Sequence, residues 1–172
     1  AMGSSQTYFS LYRAADGLLA ALVAMKSNSR SMFYAEFTWH HVNDAITNIN
    51  NLAFSPVSPA SSLKQSYPYP DVHALNDLLA LARKIGVYKE KENPRQPFPE
   101  GKEFEAIERF LQRESESLVQ RGWYSPLVIE DYRRLTLRGA FLMTWRLLWP
   151  TRSILQRKAR KEAERLRAAV SH

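Results

Sequence analysis

The segment EFTWHHVND, from Glu36 to Asp44, concentrates side chains whose types and spacing suit chemistry. Read as a helix, it places Glu36, His40 and Asp44 at successive four-residue steps, with His41 three residues before Asp44. Carboxylates and imidazoles at that spacing share metal ions in helical-bundle sites. Such a site needs further ligands from facing helices, and the chain has no Glu-x-x-His pair to supply them. A metal-dependent enzyme around His40 and Asp44 is therefore an alternative, and we expect the histidines to flank an apolar stripe instead.

Other catalytic signatures are missing from the sequence. The chain contains no cysteine, which excludes disulfides, thiolate zinc sites and cysteine nucleophiles. It also has no Gly-x-Ser-x-Gly motif, no phosphate-binding glycine loop and no dinucleotide fingerprint. The sequence therefore assigns no catalytic residue and no cofactor, and it favours a non-enzymatic role.

The positive charge of the chain lies at its C-terminal end. The whole chain of 172 residues has a formal net charge of +7. Residues 1–125 are neutral in sum, whereas residues 126–172 hold 11 Lys and Arg against 4 Asp and Glu. Such asymmetry indicates an anionic partner for this end of the chain. The candidate contact residues are Arg152, Arg157, Lys158, Arg160, Lys161, Arg165 and Arg167.

An acidic protein surface or an anionic lipid surface suits these residues best. Nucleic acid ranks lower, because no aromatic side chains interleave with the arginines to stack on bases. A second copy of the chain, pairing through the C-terminal helix, is another alternative. We therefore expect an interaction or adaptor protein that binds its partner through the basic C-terminal segment, either cytoplasmic or at the cytoplasmic face of a membrane.

Helical spacing of apolar residues predicts the elements that would position these groups. One helix is expected over Tyr8–Met25, and a second along a stripe from Ala35 to Ala53 with steps of four and three residues. Further helices are expected after Asp71 and from Phe104 to Gly122. Two proline-broken links, at residues 55–70 and 88–101, separate them.

The stretch at residues 139–149 is apolar on every side of a helix, which is typical of a central bundle helix or a membrane helix. A membrane span needs about 20 apolar residues, and a window of that length here includes arginines and a proline. We therefore predict that residues 126–149 form the central helix of a bundle. The side chains expected inside are Phe141, Trp145 and Leu148.

The predicted fold class is an all-α bundle of five to six helices with two proline-rich connections. Residues 1–4 have the composition of a cloning remnant and are left out of the fold prediction. The bundle is expected over residues 5–149. Residues 150–172 are expected to form a basic C-terminal helix, either folded back onto the bundle or projecting from it.

Overall fold

In a computed structural model, the chain is an α/β protein built on a five-stranded sheet. The structure describes residues 5–27, 30–52, 61, 63–129 and 132–171. Within these ranges, the elements in chain order are β1 (Ser5–Arg13), β2 (Leu19–Ser27), β3 (Arg30–His40), β4 (Ile46–Asn50), β5 (Lys64–Pro68), α1 (Leu75–Glu90), α2 (Glu103–Gln120), β6 (Tyr124–Ile129), β7 (Tyr132–Leu135), α3 (Leu137–Leu147) and α4 (Thr151–Ala169).

The strands of the main sheet are arranged in their chain order, from β1 to β5. The first four pair antiparallel, and β5 runs parallel to β4. The register places Leu22 opposite Ala35 and Phe37 opposite Ile49. Because side chains alternate between faces along a strand, odd-numbered residues of β3 line one face and even-numbered residues the other. The strands β6 and β7 form a separate antiparallel pair.

The larger hydrophobic core lies between one face of the sheet and helices α1 and α4. Phe37, Trp39 and Ile49 contribute the sheet side of this core and are almost fully buried. Leu78, Ala82 and Ile85 of α1 and Ala163 and Leu166 of α4 complete it.

A smaller core covers the opposite face of the sheet. Leu19 of β2 packs there with Phe98 and with Ala106 of α2. The sheet therefore lies between helices on both of its faces, and this three-layer arrangement is typical of α/β folds.

The all-α helical bundle predicted from the sequence is wrong, because the N-terminal part of the chain is a β-sheet. Residues Tyr8–Met25, expected as one helix, belong to the β1–β2 hairpin. The stripe from Ala35 onward is divided between β3 and β4, and Ala53 lies outside the described residues. The strand β2 is apolar on both faces, and such a strand shows no alternation to distinguish it from a buried helix.

Later elements match the prediction in part. The helix expected from Phe104 is confirmed as α2, and it ends before Gly122, whose φ of 73° allows the turn that follows. The predicted helix over residues 126–149 is wrong, because that range divides into β6, β7 and α3. The link expected at residues 55–70 contains β5, although residues 53–60 lie outside the described ranges.

Candidate functional site

Helix α3 packs against the rest of the protein at Gly139. The Thr136 side chain accepts a hydrogen bond from the Gly139 backbone N–H at 2.9 Å and donates one to the Gly122 carbonyl at 2.6 Å. These two bonds hold the start of α3 against the turn that follows α2. Gly139 itself is buried against the backbone carbonyl of Trp123, where a Cβ atom would collide. The glycine side of α3 therefore faces inward.

The aromatic side of α3 is exposed to solvent. Phe141 is 67% exposed, Trp145 54% and Leu148 50%, so the prediction that these three side chains lie enclosed is wrong. Among the described residues, the two cores are formed by the sheet with α1, α2 and α4, and neither core includes a residue of α3. Other exposed apolar residues near them are Leu137, Leu147, Trp149 and Ile154.

Helix α4 presents its basic residues to solvent while its opposite side is buried. It carries seven Lys and Arg and two Glu, a net charge of +5. Arg167 pairs with Asp71 at 2.7 Å, and this hydrogen bond lowers the pKa of the Asp71 carboxyl. Among the described residues, the other six basic side chains of α4 form no ion pair within 4.0 Å. The exposed predicted contact residues are Arg152, Arg157, Lys158, Arg160, Lys161, Arg165 and Arg167.

The exposed apolar residues and the exposed cations lie on two consecutive helices. Helices α3 and α4 are in contact and are joined through the exposed Trp149 and Pro150. Arg152, Arg157 and Lys158 follow Trp149 within about two and a half helical turns. We call this region the α3–α4 surface, defined by Leu137, Phe141, Trp145, Leu148, Trp149, Ile154, Arg152, Arg157 and Lys158.

The α3–α4 surface combines aromatic groups with positive charge on the outside of the molecule. In the part of the chain that the structure describes, no helix is both long enough and apolar enough to cross a membrane. Exposed apolar patches of this kind mark sites of contact with other proteins or with membranes. Further exposed apolar residues lie on β1 and β3 of the sheet, namely Tyr8, Tyr12 and Phe33.

The residues considered as metal ligands lie on β3 and the turn after it rather than on a helix. Along a strand, Glu36 and His40 are separated by about 13 Å, because each residue advances the chain by about 3.3 Å. His40 Nε2 lies 3.4 Å from Asp44 Oδ1, and Arg113 pairs with the same carboxylate. No group of three or more His, Asp or Glu side chains within the described ranges is arranged to hold a metal ion.

The second histidine of the pair is held by the fold. His41 is 1% exposed, and its Nδ1 lies 3.0 Å from the Asn93 carbonyl. Its Nε2 lies 2.8 Å from Thr47 Oγ1. Burial lowers the pKa of both His40 and His41, although Asp44 partly opposes this effect at His40. The two imidazoles therefore favour the neutral form in the folded protein.

A buried polar network on β3, β4 and β5 was missed by the sequence analysis. Asn48, only 2% exposed, donates to Glu36 Oε2 at 3.2 Å and to Thr38 Oγ1 at 3.1 Å. Its own side-chain oxygen accepts a hydrogen bond from Asn50 at 2.7 Å, and Asn50 also donates to Ser66 at 3.0 Å. The sequence pattern that could have predicted this network is the polar residues at alternate positions of β3, because they indicate a strand with one polar face.

Comparison with known proteins identifies no relative of this chain. No protein-family model matches it, no curated protein matches it, and no solved structure matches it. The function is therefore argued from the side chains and their surroundings.

Proposed function

We propose that the protein is a peripheral membrane-binding module that docks on anionic lipid through the α3–α4 surface. The observation that supports this proposal is the joint exposure of Phe141, Trp145 and Leu148, together with the exposed cations of α4, the helix that α3 contacts. Trp, Phe and Leu side chains insert at the boundary between lipid headgroups and acyl chains. Lys and Arg beside them are attracted to acidic headgroups.

The apolar row on α3 favours lipid over an acidic protein as the partner. Leu137, Phe141 and Trp145 follow at four-residue steps, so they project from one side of the helix. Charge complementarity with an acidic protein surface would account for the cations of α4 but not for the exposed aromatic row. An interfacial helix buries large apolar groups and keeps its cations at headgroup level, and both features are present here.

The cations contribute an attraction that depends on lipid charge. Each Lys or Arg near an acidic leaflet contributes about 1 kcal/mol. The six α4 cations that form no ion pair with the described residues would together contribute at most about 6 kcal/mol. Acidic lipids give the cytoplasmic leaflet its negative surface potential, so the proposal places the protein at that face.

Flotation of the full chain with lipid vesicles tests the proposal. We expect the protein to float with vesicles that contain phosphatidylserine and to remain unbound with pure phosphatidylcholine. Phe141→Ala should weaken flotation, whereas Phe104→Ala on α2 should not, and the two phenylalanines are matched at 67% and 66% exposure. Phe33→Ala, on the exposed part of the sheet, is a second control. Equal flotation of the wild type and Phe141→Ala would contradict the proposal.

A pair of charge-reversing substitutions tests the electrostatic contribution to the proposed lipid binding. Arg157→Glu combined with Lys158→Glu should weaken binding to phosphatidylserine vesicles by at least about tenfold. The matched control reverses Lys84 and Lys91, two exposed lysines at α1, with the same change of net charge. If the control pair weakens binding equally, attraction depends on total charge and the proposed surface is not the site. Capture of an acidic protein without vesicle flotation also overturns the proposal.

A further inference from the structure

A cavity lies between the second face of the sheet and α2, outside the α3–α4 surface. Its volume is about 210 Å³, the space of about seven water molecules. Apolar walls are formed by Phe98 and by Phe110 and Leu111 of α2. Its floor is formed by the sheet, where Leu11, Leu19, Ala21 and Ile46 are apolar and three side chains of β3 and β4 are polar. The three polar floor residues are Glu36, Thr38 and Asn48.

The floor holds a carboxylate in a defined position. Both amide hydrogens of Asn48 are used, one by Glu36 Oε2 and the other by Thr38 Oγ1. Asn48 is therefore a positioning residue with no donor left for a ligand. Within the described part of the chain, the second carboxylate oxygen, Glu36 Oε1, forms no hydrogen bond. The cavity thus presents one carboxylate oxygen and one hydroxyl at the base of apolar walls.

Among the described residues, the one basic side chain that lines the cavity, Lys64, lies far from this carboxylate. Glu36 is opposite Asn50 on β4, and Lys64 of β5 is opposite Ile46. Two strand spacings and four residues along the sheet place their Cα atoms roughly 16 Å apart. The end of the cavity at Glu36 therefore carries negative charge, and Lys64 lies toward the opposite end.

We infer that this cavity binds a small amphipathic amine, with the protonated nitrogen on Glu36 and the apolar body against Phe98, Phe110 and Leu111. A partly buried carboxylate is stabilised by a charged donor, and charge-assisted hydrogen bonds are about twice as strong as neutral ones. Apolar walls around a few convergent polar groups are the usual composition of a small-molecule site. This inference does not depend on the proposed membrane binding.

Benzylamine and benzyl alcohol are the probes, because they share one shape and differ in charge at neutral pH. We expect calorimetric titration of the full chain to give at least tenfold tighter binding of benzylamine. Glu36→Gln keeps an acceptor for Asn48 but removes the charge, so it should abolish the preference for the amine. Glu105→Gln, at an exposed position of α2, is the matched control and should retain it.

A second variant tests the place of binding. Leu111→Trp enlarges a side chain that is 56% exposed and lines the cavity, so the fold should tolerate it while the cavity is filled. It should abolish binding of both probes and leave vesicle flotation unchanged. The inference is overturned if neither probe binds the wild type, if both bind equally, or if Glu36→Gln binds benzylamine as the wild type does.

Discussion

At the scale of single residues, Trp39 organises the larger core. Its indole Nε1 donates to the Ala82 carbonyl at 2.7 Å, and the Arg95 guanidinium lies 4.7 Å from the ring centroid. Gly86, inside α1, lies directly against the indole. A glycine inside a helix costs about 1 kcal/mol relative to alanine. The space required by the indole explains why α1 has glycine at this position.

We predict that Gly86→Ala destabilises the protein even though alanine is the better helix former. The new Cβ would lie 2.5 Å from Trp39 Cε2 and Nε1, which is closer than unbonded atoms tolerate. Overpacking of this kind costs about 1–3 kcal/mol, measurable by urea denaturation. In a Trp39→Phe background, the cost of Gly86→Ala should become smaller. A more stable Gly86→Ala protein would show that the indole moves aside freely.

The buried histidines predict a dependence of stability on pH. In the unfolded chain His40 and His41 take up protons near their ordinary pKa of about 6.5, whereas burial lowers both pKa values in the folded protein. The unfolded state therefore binds more protons as the pH falls below about 6.5, and the free energy of unfolding falls with it. Stability should decrease between about pH 7.5 and about pH 5.5 in urea titrations. His41→Gln should flatten this dependence, because it removes one of the two buried imidazoles.

At the scale of elements, α4 has two sides with separate roles. One side belongs to the core, where the Tyr69 hydroxyl donates to the Ala163 carbonyl at 2.9 Å and Leu166 is buried. The other side carries the exposed cations. Leu155, Ala159, Ala163, Leu166 and Val170 follow at helix spacing along this side, so the sequence pattern indicates it, because helix periodicity is a local property of the sequence.

A pair of substitutions in α4 separates stability from binding. Leu166→Ala should lower the free energy of unfolding by about 2–5 kcal/mol, because it opens a cavity in the core. Ile154→Ala, at a position that is 60% exposed, should change it by less than about 0.5 kcal/mol but should weaken vesicle flotation. Denaturation and flotation of both variants check the pair. Equal destabilisation by the two changes would contradict the orientation of α4 described above.

The strand β3 shows which sequence signal was available and which was not. Phe37 and Trp39 alternate with Thr38 and His40, and this alternation indicates a strand with one apolar and one polar face. The helix-like spacing of apolar residues that begins at Ala35 occurs in the same segment. It arises because β3 and β4 are close in sequence and both contribute apolar side chains to the larger core. The strands that pair with β3 could not be predicted from the sequence, because pairing with β2 and β4 depends on register over many residues.

At the scale of the whole molecule, the charge is separated from the larger part of the fold. Residues 1–125 are neutral in sum, and the net charge of +7 arises in residues 126–172. The described residues of that C-terminal portion also form the exposed aromatic row of α3. One end of the chain therefore supplies both kinds of group that the proposed membrane contact requires.

Salt should weaken the electrostatic attraction in the proposed membrane contact and should not weaken the insertion of its apolar side chains. The Debye length falls from about 10 Å at 0.1 M salt to about 3 Å at 1 M, so attraction between the cations and acidic headgroups is screened. Flotation with phosphatidylserine vesicles should fall steeply over this range, and Phe141→Ala should bind more weakly than the wild type at each salt concentration. Binding that is indifferent to salt would contradict the role of the α4 cations.

The sequence alone determined the features that depend on neighbours along the chain. The helices α2 and α4, the position of the positive charge and the exclusion of cysteine chemistry all follow from local periodicity or from composition. The tertiary structure decided which apolar segments are inside. Residues 139–149 are apolar enough for a core, but helices α1, α2 and α4 complete the two cores without them. Burial and strand pairing depend on contacts between distant residues, and for that reason local patterns left Phe141, Trp145 and the Glu36 cavity undetermined.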